Sequence, residues 1–236
     1  MTETTPRATI PFMPRTPRIA PGGMVFHVLN RANARHRIFE HADDYSAFER
    51  AMSDTAERTA MRILSYCIMP NHWHMVLWPR RKGDLGAFMQ RLTTTHVRRW
   101  HLYRDSVGMG HLYQGTYKSF PVEQDEHLLA VFRYVERNAL RAELVDRAER
   151  WRWCSLWRSR HPAHTDGPPL CAWPIPQPRD WLRRVNLALT ERELEAIRLS
   201  ATRGRPFGTP EWQKKTAKRL GLESTFRQRG RPGKQP

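Results

Sequence analysis

The chain has 236 residues, which suits one compact domain with a substantial addition or two small domains. Lysine and arginine number 40 against 23 aspartates and glutamates, and the net charge of +17 favours a polyanionic partner, nucleic acid before a membrane surface. No stretch approaches the roughly 20 apolar residues of a spanning helix. The spacing of the three cysteines matches no zinc site, and their odd number argues against a disulfide scaffold and fits a reducing cytosol.

The first part of the chain combines a lead-in, a strand and a helix. Residues 1–22 are rich in proline and arginine and predict a flexible segment. Residues 24–31 predict a strand. A helix with one apolar face follows, and Asp43 is its candidate N-terminal cap.

Three further strands and two helices follow in the predicted order of elements. Residues 62–69 and 72–78 alternate as strands on either side of a Pro-Asn turn, which predicts a hairpin. A long helix is predicted at 84–104, a short strand at 117–122 and another helix at 125–138. The order β-α-β-β-α-β followed by a helix predicts an α+β fold, a ferredoxin-like split βαβ antiparallel sheet with an added C-terminal helix.

The composition changes after about residue 145. We expect the main domain to span 23–160, a proline-rich linker to span 161–189 and a basic helical tail to span 190–236. In this tail, Thr190 and Glu193 match a capping box, and Thr209-Pro210 is a typical start of a second helix.

Two groups of arginines are candidate DNA contacts. Arg-Gly-Arg-Pro occurs twice in the tail, and this core of minor-groove hooks makes Arg205 and Arg231 candidates for binding duplex DNA. A disordered basic arm explains the same composition. In the helix at 84–104, Arg98 and Arg99 interleave with aromatic residues, a pattern that suits single-stranded DNA and a solvated helix face equally well.

His72 and His74 lie two residues apart on the predicted third strand. Their imidazoles therefore point to one face, where they can hold one divalent ion. The opposite face carries Trp73, Met75 and Leu77, which suit a core. Taken alone, this spacing is more often structural or merely exposed than metal-binding.

The helix at 125–138 has a buried stripe with i, i+4, i+7 spacing, formed by Leu128, Phe132 and Val135. Tyr134 and Asn138 share a ridge beside this stripe, and Arg141 continues it. A hydroxyl, an amide and a guanidinium on one ridge suit phosphate chemistry. The local pattern has a simpler explanation, in which Tyr134 lies at the edge of the buried surface and Asn138 marks the end of the helix.

Several neighbours compete for roles in such a site. Tyr113 and Tyr117 are rival nucleophiles near the fourth strand. His27 on the first strand favours packing or a DNA contact over catalysis. Glu123 and Asp125 are candidates for a supporting role beside the site, and helix capping is the plainer role for Asp125.

Two segments resemble a known family when they are read together. PNHWHMVLWP resembles the strand motif of the HUH single-strand nucleases, and RYVERNALRAELV resembles the tyrosine helix of their single-tyrosine transposase branch. Within that branch the chain is most similar to the REP-associated tyrosine transposases. The resemblance implies an HUH-type catalytic domain at 23–160 in which Tyr134 on the added helix is the nucleophile.

The resemblance also implies a cofactor and a reaction. His72, His74 and Asn138 would hold Mg²⁺ or Mn²⁺, although the related insertion-sequence enzymes usually have glutamine where this chain has Asn138. The implied activity is that of a metal-dependent single-stranded DNA endonuclease and strand transferase. It would nick and join hairpin-containing DNA through a 5′-phosphotyrosine intermediate.

The implied partners are single-stranded DNA with hairpins, such as repeated extragenic palindromes, and duplex DNA through the tail. The expected location is cytoplasmic and nucleoid-associated in a bacterium, with no membrane partner. Monomer and homodimer both stay open. The alternatives are a non-catalytic DNA-binding regulator on the same fold and a metal-dependent hydrolase that uses water. The expected DNA contacts are Arg98, Arg99, Arg141, Arg205 and Arg231.

Overall fold

The structure is a computed structural model that describes residues 19–164 and 166–227. Its strands are β1 (Val25–Arg31), β2 (Arg62–Met69), β3 (His72–Trp78) and β4 (Lys118–Val122). Its helices are α1 (Ala42–Thr59), α2 (Asp84–Tyr103), α3 (Glu126–Glu136), α4 (Asn138–Arg141), α5 (Ser155–Arg160), α6 (Trp181–Asn186), α7 (Glu191–Arg203) and α8 (Pro210–Leu220). Short 3₁₀ turns lie at Asn33–Arg35, Ala148–Arg150 and Glu223–Phe226. Most of the predicted lead-in at 1–22, and the second Arg-Gly-Arg-Pro copy, lie outside the described residues.

The strands form one antiparallel sheet in the order β2-β3-β1-β4. This order is that of the split βαβ fold, so the predicted fold class is confirmed. The hairpin strands begin and end where the alternation predicted, whereas β4 starts one residue later than predicted and α2 ends one residue earlier. The predicted helix at 125–138 is divided at Arg137 into α3 and α4.

Alternation along β3 divides the interior into two apolar clusters. Trp73, Met75 and Leu77 point to the side covered by α1 and α2 and are fully buried there. Val76 points to the other side, where it packs with residues of α3. The predicted stripe of α3 is wholly buried in this second cluster, and its members are Leu128, Phe132 and Val135.

The N-terminal cap of α1 differs from the expected one. Helix α1 begins at Ala42 with His41 as its cap, so Asp43 lies inside the first turn and the prediction for Asp43 is wrong. The neighbouring Asp44 takes the capping role, because its Oδ2 accepts hydrogen bonds from the backbone N–H groups of Glu40 and His41 at 2.9 and 3.1 Å.

The predicted linker at 161–189 forms part of the core instead. The Trp173 ring stacks on Phe132 of α3 with 3.9 Å between ring centroids. Trp181 and Val185 of α6 are buried in the second cluster. The backbone N–H of Cys171 donates to the carbonyl oxygen of Ile63 at 2.9 Å, which covers the outer edge of β2. Proline content indicated a linker here, but the tryptophans supply enough apolar surface to pack.

The helices predicted in the tail are present and also pack on the main sheet. Thr190 caps α7 in a reciprocal capping box with Glu193, and Pro210 opens α8. Between them, the backbone N–H of Phe207 donates to the carbonyl oxygen of Pro121 at 2.9 Å, and the N–H of Glu123 donates to that of Phe207 at 2.9 Å. The segment between α7 and α8 therefore extends the edge of the sheet at β4.

A buried carboxyl joins α3 to the segment at 161–189. Glu136 is 3% exposed, and its Oε2 accepts a hydrogen bond from the indole N–H of Trp181 at 2.8 Å. Its Oε1 accepts from the hydroxyl of Ser155 at 2.7 Å. Burial raises the pKa of Glu136 above its ordinary value of 4.5, and these hydrogen bonds partly offset that effect. The folded protein therefore holds the proton of Glu136 more tightly than the unfolded chain does.

We expect Glu136→Gln to gain stability relative to the wild type as the pH rises. A raised folded-state pKa stabilises the protein below the unfolded value of 4.5, and that stabilisation is lost as the pH passes the folded value. Urea unfolding at pH 5 and pH 8 measures the difference, with the exposed Glu57→Gln as the control. Glu136→Ala should lower stability at both pH values by about 1–3 kcal/mol per unpaired buried donor. A pH-independent difference for Glu136→Gln would contradict the assignment.

Candidate functional site

The two histidines of β3 lie side by side on the face covered by α3. The ring centroids of His72 and His74 are 5.1 Å apart, and the rings are nearly perpendicular. His74 is 4% exposed and His72 is half-buried at the end of the strand. The alternation of β3 thus brings these residues together as predicted, since Trp73 between them points into the opposite cluster.

Asn71 fixes which nitrogen of His72 carries the proton. The Nδ1 of His72 lies 2.6 Å from the Oδ1 of Asn71, and the Nδ2 of Asn71 donates to the carbonyl oxygen of Arg35 at 3.1 Å. An amide oxygen can only accept, so the Nδ1 of His72 donates the proton. The lone pair of Nε2 is then free, as a metal ligand requires.

His27 on β1 stands behind His74. The Nε2 of His27 lies 3.0 Å from the Nδ1 of His74, and the His27 ring also packs on Phe120 with 4.8 Å between centroids. His27 is fully buried, so the expectation that it packs is confirmed. Its bond to His74 was not foreseen, because the diagonal pairing of β1 with β3 depends on a register that the sequence does not display.

The three imidazoles are neutral at neutral pH. Burial, with the nearby charges of Arg31 and Arg141, lowers the pKa of His72 to about 3. Burial lowers the pKa of His27 to about 3 as well, and that of His74 well below its ordinary value. Neutral imidazoles offer lone pairs to a cation, so His72 and His74 are chemically suited to hold a divalent ion.

Tyr134 on α3 reaches the same place from the helix side. Its ring meets that of His74 edge-on with 5.5 Å between centroids, and it lies 6.0 Å from the ring of His27. Tyr134 is 6% exposed. Helix α3 is oriented by its buried stripe and by Asp125, whose Oδ1 accepts from the backbone N–H of His127 at the helix start. The capping role expected for Asp125 is confirmed.

Asn138 and Arg141 extend this ridge. Asn138 is 1% exposed, and its Oδ1 accepts a hydrogen bond from Nη2 of Arg141 at 2.9 Å. Its Nδ2 is buried without a hydrogen-bond partner among the described residues. The Cζ of Arg141 lies 5.0 Å from the centroid of the Tyr134 ring. One lone pair of the Asn138 amide oxygen stays available, so this residue is chemically able to complete a ligand set with the histidines.

A second group with ligand chemistry lies at the start of α3. Glu123, Asp125 and His127 offer atoms within 4.8 Å of one another. Each of these side chains also has a structural role. The Oε2 of Glu123 accepts from the backbone N–H of Thr209 at 2.6 Å, and the carboxylate of Asp125 accepts from the N–H of His127 and lies 2.9 Å from its Nδ1. These three residues hold the tail against α3 at the end away from Tyr134.

The rival tyrosines lie apart from the histidine pair. Tyr113 is buried in the cluster on the opposite side of the sheet, where its hydroxyl accepts from the indole N–H of Trp73 at 3.0 Å and lies 2.6 Å from Nδ1 of His96. Burial raises the pKa of Tyr113. Tyr117 packs against the same cluster. Neither ring shares the face on which His72 and His74 lie.

The candidate DNA contacts differ in their surroundings. Arg98 and Arg99 are exposed on α2, next to the exposed Leu102 and Tyr103. Arg205 is held within the protein, since its Nε donates to the Oε1 of Gln213 at 3.0 Å and its Cζ lies 4.1 Å from the ring centroid of Phe226. The first Arg-Gly-Arg-Pro copy is therefore folded between α7 and α8. Arg231 lies outside the described residues.

Comparison with known proteins gives a family match and a similar fold. The family described as "Transposase IS200 like" matches residues 22–138. The solved structure of a REP-associated tyrosine transposase bound to a REP hairpin superposes with a TM-score of 0.52 at 13% identity, covering 66% of this chain and 90% of that one. A candidate transposase from Deinococcus radiodurans R1 gives 0.37 at 17% identity, covering 52% and 92%. No curated protein matches the chain. Among the described residues, no helix is long and apolar enough to cross a membrane.

We expect Asn71→Ala to lower the Mn²⁺ affinity of the histidine pair by about tenfold, because residues that orient a ligating imidazole contribute 10–100-fold. Without Oδ1, the tautomer of His72 is no longer fixed. Calorimetric titration of the purified protein with Mn²⁺ measures the change. Asn33→Ala is the matched control, because Asn33 is exposed and its side chain accepts only from the backbone N–H of Ala34. Equal affinities for both variants would contradict the role given to Asn71.

Proposed function

The chain belongs over residues 22–138 to the IS200-like transposase family, and on that premise we propose that it nicks and rejoins single-stranded DNA through Tyr134. The observation that carries the proposal is the edge-on contact of the Tyr134 ring with His74, at 5.5 Å between centroids. Both residues belong to one chain in the structure, which supports a site formed within a single copy. The hairpin bound by the structurally similar REP-associated transposase supports a hairpin-containing substrate for this chain.

The proposed metal site consists of His72, His74 and Asn138. The neutral imidazole of His72, with its free Nε2 lone pair, and the remaining lone pair of the buried Asn138 Oδ1 support it. Bound there, Mg²⁺ or Mn²⁺ would polarise a phosphodiester and favour loss of the phenolic proton. Two nitrogen ligands suit Mn²⁺ better than Mg²⁺, which prefers oxygen. The group at Glu123 has a structural role in the fold, which favours the histidine pair as the catalytic site.

The chemical step is a transesterification. The phenolic oxygen of Tyr134 attacks the scissile phosphorus as its proton leaves. The bond from phosphorus to the 3′ oxygen breaks, and that oxygen leaves as a 3′-hydroxyl after taking up a proton. The DNA stays attached to Tyr134 as a 5′-phosphotyrosine, so the phosphodiester energy is conserved and a 3′-hydroxyl can reverse the step. Arg141, which contacts Tyr134 and Asn138, would hold the phosphate in line for this attack.

We expect Tyr134→Phe to abolish a covalent protein–DNA band. Labelled hairpin-tailed single-stranded DNA is incubated with the protein and Mn²⁺, then separated on a denaturing gel. Wild-type protein should give the band, and chelator or His74→Ala should remove it because the metal ligands are lost. Tyr45→Phe is the matched control, since Tyr45 is buried in the cluster on the opposite side of the sheet from the histidine pair.

The other outcomes identify the rival functions. Cleavage without a covalent band would indicate a hydrolase that activates water. Binding without cleavage over a range of hairpin sequences would indicate a non-catalytic DNA-binding regulator. A covalent band that persists in Tyr134→Phe would show that another residue is the nucleophile.

We further propose that α2 contacts the DNA backbone through Arg98 and Arg99, whose exposure beside Leu102 and Tyr103 supports it. Replacing both arginines with alanine should lower the affinity for single-stranded DNA. It should also flatten the salt dependence by about 0.7 for each lost phosphate contact. Fluorescence anisotropy over a salt series measures both effects, with Arg205→Ala as the comparison because Arg205 is engaged by Gln213. An unchanged salt slope would contradict a role for α2.

A further inference from the structure

Arg31 ends β1 beside the histidine pair. In the β1–β3 register its Cα lies opposite that of His72. Side chains alternate along a strand, so His27, Leu29 and Arg31 lie on one face of β1. That face is the one on which His72, His74 and Tyr134 meet. The sheet therefore delivers a guanidinium to the open end of the candidate site, one strand away from His72.

The guanidinium of Arg31 has no counter-charge among the residues that the structure describes. Its Nε is buried and lacks a hydrogen-bond partner, and no ion pair within the described residues involves Arg31. Folded proteins rarely leave a buried donor unpaired, and a charged one costs more than a neutral one. A bound ligand that accepts hydrogen bonds would remove this cost.

Arg141 approaches the same histidines from the helix side. It donates to Asn138 and lies over the Tyr134 ring, and it too has no carboxylate partner within the described residues. Two guanidinium groups thus flank the histidines. Among the described residues, the Asn138 amide oxygen is the one side-chain acceptor that either guanidinium contacts there.

We propose that Arg31 and Arg141 form an oxyanion site that holds one phosphate of a single-stranded DNA backbone against His72 and His74. This inference rests on the proposed function and adds a second binding element to it. A guanidinium presents parallel N–H donors at the spacing of phosphate oxygens, so it fits this ligand better than an ammonium does. A phosphate would also offset the positive charge that the two arginines and a divalent cation would otherwise concentrate there.

The test uses two measurements, of which a phosphate-binding role for Arg31 should lower only one. Arg31→Ala should lower the rate of covalent adduct formation at limiting DNA by about tenfold or more, as expected for loss of a charge-assisted contact. In the absence of DNA, the same variant should bind Mn²⁺ as tightly as the wild type or several-fold more tightly, since a like charge beside the cation is gone. Arg31→Lys should recover part of the rate because it keeps the charge without the fork. Arg58→Ala is the control for net charge, because Arg58 is exposed in the last turn of α1.

A purely structural role gives a different pattern. If Arg31 only supported the strand end, Arg31→Ala would weaken Mn²⁺ binding and adduct formation together, and that result would overturn the proposal. Adduct formation at the wild-type rate would overturn it as well. If the wild type forms no adduct, the proposed function fails, and anisotropy with the same oligonucleotide decides separately. Loss of DNA affinity in Arg31→Ala but not in Arg58→Ala supports the oxyanion site, and equal affinity refutes it.

Discussion

The two-residue period of β3 is the constraint on which the rest of the molecule depends. It sends Trp73, Met75 and Leu77 into the cluster beneath α1 and α2, and it sends His72 and His74 to the face beneath α3. A shift of one residue in the register would exchange these sets, placing the imidazoles among the apolar side chains beneath α1 and α2 and Trp73 beneath α3. The energy that holds the core in register therefore also holds the histidines in position.

Local patterns predicted much of this arrangement. The hairpin, the long helix α2 and the stripe of α3 follow from periodicities of two and about 3.6 residues. The spacing of Tyr134 and Asn138 on one ridge followed in the same way, because both positions depend only on the helix that carries them. That the ridge meets the histidine strand was implied by the family resemblance and not by either pattern alone.

The features that the sequence did not predict depend on contacts between distant segments. The bond of His27 to His74 and the place of Arg31 opposite His72 both follow from the pairing of β1 with β3. The buried position of Trp181 against Glu136 reflects the packing of a proline-rich segment whose composition suggested a linker. Arg205 belonged to a motif that suggested an extended hook, yet the helices on either side of it supply Gln213 and Phe226 as internal partners.

The backbone pairing of Phe207 with Pro121 and Glu123 shows that the packed structure extends beyond the end of the family match at residue 138. Residues 22–138 are the part that the chain shares with its family, but the second apolar cluster also contains Trp181, Ile197 and Phe207. The range matched by the family model is thus shorter than the part of the chain that forms this cluster. A fragment cut at the family boundary would keep every candidate catalytic residue through Asn138 and lose the surface that buries the outer side of the helix carrying Tyr134. The segments after residue 138 therefore support the helix that carries the candidate nucleophile.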